Sequence, residues 1–497
     1  MLLLRKFVFY LFVLIYLVFC PILILYALGY TYKPSSEKGI VKSGLIYLST
    51  VPQGASVYLE GRRFIWRTPT VLSDLIPGNY QVKLVKKKYM PWVNTLPVEA
   101  GQATVLERIL LLPESWERNT LLEGKFEDLI PISGGRFFLL ERDSENHTAG
   151  EFSVYDPKED KAFALLPNDS PYRDLEVSSY FVVEKSPNLL LALDSENGKK
   201  FLWISLKPKE SLVKEATALF AGEPKKISWD PQDKKYLFAL RNGLLDRIDL
   251  VTDTAVSGFL SGILGYGFFD RKIYLLKNDF TLERMDLDGK SEKVLFQDAV
   301  LGASLFDKSR FYRIKVFPED IFSENIILFL GDNGELLANR LPYRFVEKGV
   351  LDVEFDPKLK RVLFWTDHAL GLIDFSKERS GAEEVFEAAP KLIWVVRNRG
   401  KIQRAFWVYE GSHILFLDEG RVFLVELETH GKPKLHEILS VKEDSSVFYS
   451  DESGTLFYIE KETGNAASIQ LLPKLEILSL PFPERKAEER KFKIEEV

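Results

Sequence analysis

Seven side chains carry the most legible chemistry in this chain: Arg62, Arg63, Trp66, Arg67, Lys86, Lys87 and Lys88. Cations set around an aromatic attract anionic surfaces, lipid headgroups or wall polymers, by about 1 kcal/mol per charge close to the surface. Between Leu45 and Leu112 eight basic residues stand against four acidic ones, so this stretch is net +4 inside a chain of formal charge −6. The seven are read as contacts to an anionic surface, at strand ends or in loops that converge on one rim. The plainer alternative is Lys and Arg solvating a small exposed sheet. Of the tryptophans, Trp66 is expected to be exposed, Trp92 to pack, and Trp229 and Trp365 to sit in strand cores.

Motifs for reaction chemistry are missing. The sequence has no Gly-x-Ser-x-Gly elbow, Gly-Lys-Ser/Thr phosphate loop, His-Glu-x-x-His or Gly-x-Gly-x-x-Gly. Cys20 is the single cysteine, which excludes disulfides and cysteine-ligated metals, and the five histidines are scattered. Asp286-Leu287-Asp288-Gly289 and Asp332-Asn333-Gly334-Glu335 mimic fragments of calcium loops but lack the later ligands, so they are read as hairpin turns. No catalytic residue, cofactor or metal is therefore expected. The mild net charge, with no concentrated basic face, argues against nucleic acid as a partner.

The elements that must position the basic residues are short strands. Ala55, Val57 and Leu59 alternate with polar neighbours, Glu60-Gly61 suits a hairpin tip, and Pro77-Gly78 sets a turn before Tyr80, Val82 and Leu84. With Val51-Pro52-Gln53-Gly54-Ala55 upstream and Pro91-Trp92 downstream, residues 45–113 resemble a PEGA domain, a small β-sandwich of prokaryotic envelope proteins. The naming motif carries Gln53 where the family has Glu. Lys88 stands where a Gly-Tyr pair is usual, and the stretch before Thr68 is bulky with Phe64, Ile65 and Trp66. The resemblance implies the module and says almost nothing of a ligand.

Ahead of the module, Phe7 to Tyr30 is uncharged for 24 residues and follows Arg5 and Lys6. A helix of that length, about 36 Å, spans a hydrocarbon core of ~30 Å. Residues 1–6 are thus expected as a cytoplasmic N-terminus, 7–30 as an uncleaved signal anchor in the cytoplasmic membrane, and 31–44 as a loose tether. The rest of the chain is expected outside the membrane, and a charged tail covers 484–497.

From about Trp116 to Pro473 a strand–turn–strand rhythm repeats. Lys226–Trp229, Tyr236–Leu240 and Leu245–Leu250 form one unit; Val353–Phe355, Val362–Trp365 and Gly371–Phe375 another; Phe181–Val183, Leu189–Leu193 and Phe201–Leu206 a third. Looser copies lie around Gly135, Asp270, Asp307, Gly411 and Asp451. A recurrence of roughly 40–45 residues with several strands each is the mark of propeller blades. Phe-Asp-Pro or Ser-Pro before an apolar strand resembles divergent WD-repeat-like propellers of bacterial envelope proteins and of prolyl-peptidases. A β-sandwich array is the competing architecture. Eight units are counted, or seven if Ser304–Arg340 is an insertion. The expected fold is thus an all-β ectodomain, a small β-sandwich plus a seven- or eight-bladed propeller, behind one transmembrane helix. The leading functional expectation is a non-catalytic binding or scaffolding protein whose partner is an envelope protein or cell-wall polymer. The alternative is a glycan-acting enzyme using carboxylates in the propeller channel, since residues from different blades leave no local spacing.

Overall fold

The computed structural model describes residues 2–472 except 28, 33–39, 146, 184–185, 230–235, 298, 319–324, 340–344, 357, 359, 376–390 and 428–432. The tail at 484–497 and His430 lie outside the described residues. The N-terminal helix, Leu2–Ala27, contains the stretch Phe7–Leu25, which is long and apolar enough to cross a membrane, and among the described residues none buries any part of that stretch. The helix ends three residues before the boundary expected at Tyr30. The expected loose tether is also corrected. Tyr30–Tyr32 pairs antiparallel with Ile40–Lys42, and the Ser43 amide and hydroxyl both donate to the Gly29 carbonyl at 2.8 and 2.9 Å. The strand pairing brings the two ends of that segment together, so the module starts close to the helix end.

Two sheets build the module. Gly44–Val51 lies between Thr70–Leu75, antiparallel, and Ala103–Leu110, parallel. The second sheet runs in the order Arg62–Arg67, Ser56–Leu59, Gly78–Val85, Trp92–Val98. Ile46, Leu48, Val57, Leu72, Val82, Leu84 and Leu96 fill the space between them. Their alternation along each strand is the period-two pattern of a sheet with one buried face. Lys88 adopts φ +70° at the end of the Val85–Tyr89 turn, the left-handed region that glycine enters at least cost. This explains physically why glycine is usual where Lys88 stands.

The remaining strands form eight four-stranded blades, counted here by first strand: Phe126–Ile132 (blade 1), Glu176–Val182 (2), Lys226–Trp229 (3), Ile263–Phe269 (4), Tyr312–Phe317 (5), Val350–Asp356 (6), Ile402–Val408 (7) and Phe448–Ser450 (8). The Ser304–Arg340 unit is a blade and not an insertion. Blade 8 takes its outermost strand, Arg118–Leu122, from the start of the propeller, where it pairs with Ala466–Gln470 and closes the ring. Second strands such as Leu189–Leu193 and Val362–Phe364 are buried on both faces between neighbouring blades.

One seam departs from this plan. The first strands of blades 4 and 5 hydrogen-bond to each other in parallel, with Gly265 opposite Tyr312 and Tyr266 opposite Arg313. A Cβ at Gly265 would fall 2.4 Å from the Tyr312 carbonyl oxygen, and one at Gly267 would fall 1.9 Å from that of Ile314. Both glycines are required for this approach.

Candidate functional site

The basic residues do not share one rim, contrary to the expectation. Arg62–Arg67 is itself an edge strand, with Leu59 opposite Arg62, Tyr58 opposite Arg63 and Ser56 opposite Arg67. Three residues, Phe64, Ile65 and Trp66, therefore bulge out opposite Val57, and Ile65 and Trp66 are 89% and 67% exposed. Ser56 also faces Val85, and Leu84 faces Trp92. Arg67, Lys86, Lys87 and Lys88 consequently lie at the Trp92 end of the sheet. Arg62 and Arg63 lie at the Glu60-Gly61 tip, with Arg62 roughly 10 Å from Arg67 along the sheet. Lys86 is partly spent on structure, since its ammonium donates to the Gln53 carbonyl at 2.7 Å.

The Trp92 end is bound to the propeller. The buried Trp92 indole N–H donates to both carboxylate oxygens of buried Glu426 at 3.1 Å. Lys434 lies 4.2 Å over the Trp92 ring and donates to the Val93 carbonyl at 2.6 Å. Arg108 pairs with Glu410 at 2.7 Å, and Glu410 also takes Lys358 of blade 6 at 2.5 Å. Hydrogen bonds from Arg108 and then Lys358 hold the Glu410 carboxyl down at about 2. Leu110 and Leu112 enter the core of blades 7 and 8, and Val51 and Met90 pack on it. These propeller residues sit in first-to-second and third-to-fourth strand connections, hence on one face of the ring, called here the lower face.

On the upper face lies a cavity of about 620 Å3 at the mouth of the channel. The start of blade 3 brings Lys225 and Lys226; blade 5 brings Phe311, Arg313 and the Gly331–Gly334 hairpin; blade 6 brings Val350, Leu351 and Asp367. The hairpin is the Asp332-Asn333-Gly334-Glu335 turn, closed by Gly331 N–H to the Glu335 carbonyl with Gly334 at φ +81°. Lys226 is half-buried with its ammonium 4.3 Å from the Phe311 ring. Burial first, and the nearby Arg313 guanidinium second, push it down to about 7. Arg313 donates to the Leu351 carbonyl at 2.9 Å and stands 3.6 Å from Asp352, which Lys315 holds at 2.8 Å. Burial works to raise the Asp352 carboxyl, but Lys315 and Arg313 outweigh it and keep it below the usual range.

Two residues along the same strand, burial raises Glu354 to about 7, although it accepts the Trp407 amide at 3.2 Å. A pair of carboxylates with divided pKa values is the pattern of acid and nucleophile. Neither residue lines the cavity, however, and each is tied to an adjoining blade. Among the described residues no cluster of His, Cys, Asp and Glu could hold a metal. Lys226, Arg313, Lys315, Asp352 and Glu354 escaped sequence reasoning. The available signal was charge at alternate positions in Arg313-Ile314-Lys315-Val316 and Asp352-Val353-Glu354.

The module has two sheets packed over one core and a parallel pair of terminal strands, and comparison with protein families agrees with that architecture. Residues 43–110 match the PEGA domain. No curated protein matches the sequence of the chain. Solved structures similar to it are propellers. The Dos1 propeller is 12% identical, with 72% of this chain and 95% of that one covered at a TM-score of 0.44. The Cps50 (Swd1) propeller domain of Myceliophteria thermophila is 10% identical, with 71% and 98% covered at 0.39. The computationally designed Ika8 protein is 12% identical, with 71% and 99% covered at 0.42. These likenesses extend to architecture alone. A PEGA domain joined to a propeller suits a binding or scaffolding role.

Proposed function

We propose that this protein is a membrane-anchored, non-catalytic binding protein of the cell envelope, with the PEGA domain as a pedestal and the upper face of the propeller as recognition surface. The observation that carries this reading is the polarity of the pedestal. Its Trp92 end is bonded to the lower face of blade 7, and its Gly44 end follows directly on the helix through Ser43 and Gly29. The upper face is left open and points away from the anchor. Arg62 and Arg63 lie at the anchor end, so they and the bulged Ile65 and Trp66 are the residues placed to meet headgroups, in keeping with the habit of Trp at membrane interfaces. Arg67, Lys86, Lys87 and Lys88 face the propeller end and contribute less.

The topology is tested with a Cys20→Ser background carrying Ser309→Cys, an exposed position ahead of the first strand of blade 5. A membrane-impermeant maleimide should label intact spheroplasts. Labelling only after lysis overturns the extracytoplasmic placement.

A further inference from the structure

We propose that the upper mouth of the propeller channel binds a carboxylate on a small apolar body, with the Lys226 ammonium as its principal contact. The inference rests on the reading of the upper face as a recognition surface and names what that surface recognises.

Among the described residues neither Lys225 nor Lys226 has an ion-pair partner, and of the two Lys225 is exposed while Lys226 is half-buried with its ammonium on the Phe311 ring at 4.3 Å. The neighbouring cation is already committed, since Arg313 gives one nitrogen to the Leu351 carbonyl and stands beside Asp352, itself held by Lys315. The cavity lining sets Lys225, Lys226 and Arg313 against Asp332 and Asp367, one positive charge in excess. A monoanion matches that excess, whereas a dianionic phosphate would leave uncompensated charge beside two carboxylates. Leu330, Val350 and Leu351 supply the apolar wall, and about 620 Å3 is a volume typical of small-ligand sites. An arriving carboxylate restores to Lys226 the charge partner that burial makes worthwhile, because an ammonium pushed down to about 7 regains its proton on pairing. A peptide C terminus and a free small organic acid share this chemistry.

The test uses the full chain in nanodiscs and calorimetry with three probes: acetyl-Ala-Ala, its C-terminal amide, and propionate. The free-acid peptide should bind at least about tenfold more tightly than the amide. Lys226→Met should remove that preference, Lys226→Arg should keep most of it, and Lys401→Met, exposed at the start of blade 7, should leave it unchanged. Affinity for the acid should fall by up to about a hundredfold from pH 6 to pH 9, as the ammonium loses its proton while the probe stays ionised. Propionate binding as well as the peptide identifies a small acid as the source; a clear peptide advantage identifies a chain terminus. Equal binding of acid and amide, no binding up to about 10 mM, or indifference to Lys226→Met overturns the assignment. If envelope partners are still captured by the wild type and by Lys226→Met alike, the recognition surface stands and only its chemistry is wrong.

Discussion

Replacing Trp92 by Phe tests whether pedestal and propeller are one mechanical unit. The substitution keeps a ring in the module core and beneath the Lys434 ammonium, but removes the N–H that reaches Glu426 across the joint. A hydrogen bond to a charged acceptor contributes about 1.5–3 kcal/mol, and this acceptor is 7% exposed, so water cannot readily replace the donor. The single variant also loses part of the indole volume, which costs about 1 kcal/mol by itself. A double-mutant cycle separates the two contributions. Trp92→Phe, Glu426→Met and the pair are compared by urea unfolding of the full chain in detergent, followed by near-ultraviolet circular dichroism. We expect a coupling of about 2 kcal/mol between the two positions, with the Trp92→Phe variant also cleaved faster by protease near Pro113. Additivity within about 0.3 kcal/mol would refute the reasoning, because the indole would then be only a core residue of the module.

Other outcomes follow from the same geometry. Gly267→Ala should destabilise the propeller by about 3 kcal/mol or more, since its Cβ would meet the Ile314 carbonyl oxygen at 1.9 Å; the urea midpoint reads this directly, and an unchanged midpoint would show that the seam between blades 4 and 5 is loose. Arg62→Gln with Arg63→Gln should weaken binding of the anchor-free ectodomain to anionic vesicles by about 1 kcal/mol per charge at low salt, and Lys86→Gln with Lys87→Gln by clearly less, measured by co-sedimentation. Glu354 is an acid whose folded value, about 7, lies above its unfolded one, so the folded state keeps its proton longer and stability falls as pH rises from about 4.5 to 7. Glu354→Gln should remove that slope, so that the variant gains on the wild type across this window; parallel pH profiles would contradict the burial of the carboxyl.

What could be read from the residues depended on how each strand is buried. Second strands such as Leu189–Leu193 and Tyr236–Leu240 are sandwiched between blades, and a continuous apolar run bounded by turns betrays them. The fourth strands, for example Thr254–Ser261 on blade 3, are largely exposed and carry no such pattern, so three strands per unit were legible where four exist. Blade 5 is preceded by the short helix Ala299–Leu305, which breaks the rhythm and made the unit resemble an insertion. Closure by Arg118–Leu122 could not be read locally, because the strand pairs with residues nearly 350 positions away. In the module the strands were legible, but the placement of the basic residues was not. A bulge of three residues opposite one is invisible to alternation, and it alone turns Phe64–Trp66 from an expected loop into an edge strand with two side chains thrown outward.

The channel mouth shows why function was harder to read than fold. Lys226, Arg313 and Asp367 come from three blades and span more than 140 positions, so no spacing rule joins them. Blade 4 links blades 3 and 5 here, and the missing side chains of Gly265 and Gly267 let its first strand lie directly against that of blade 5. That strand lies flat against Tyr312–Ile314, and Tyr266 turns its hydroxyl the other way, to Ser228 of blade 3 at 2.9 Å. The Tyr266 ring also meets Phe311 edge-on at 5.7 Å, and the Lys226 ammonium rests on the same Phe311 ring at 4.3 Å. Tyr266 thus bridges Ser228 of blade 3 and Phe311 of blade 5 beside the cavity. The alternation Gly265-Tyr266-Gly267 therefore does two things in the folded ring: its glycines admit the blade 5 strand on one side, and the tyrosine between them ties in blade 3.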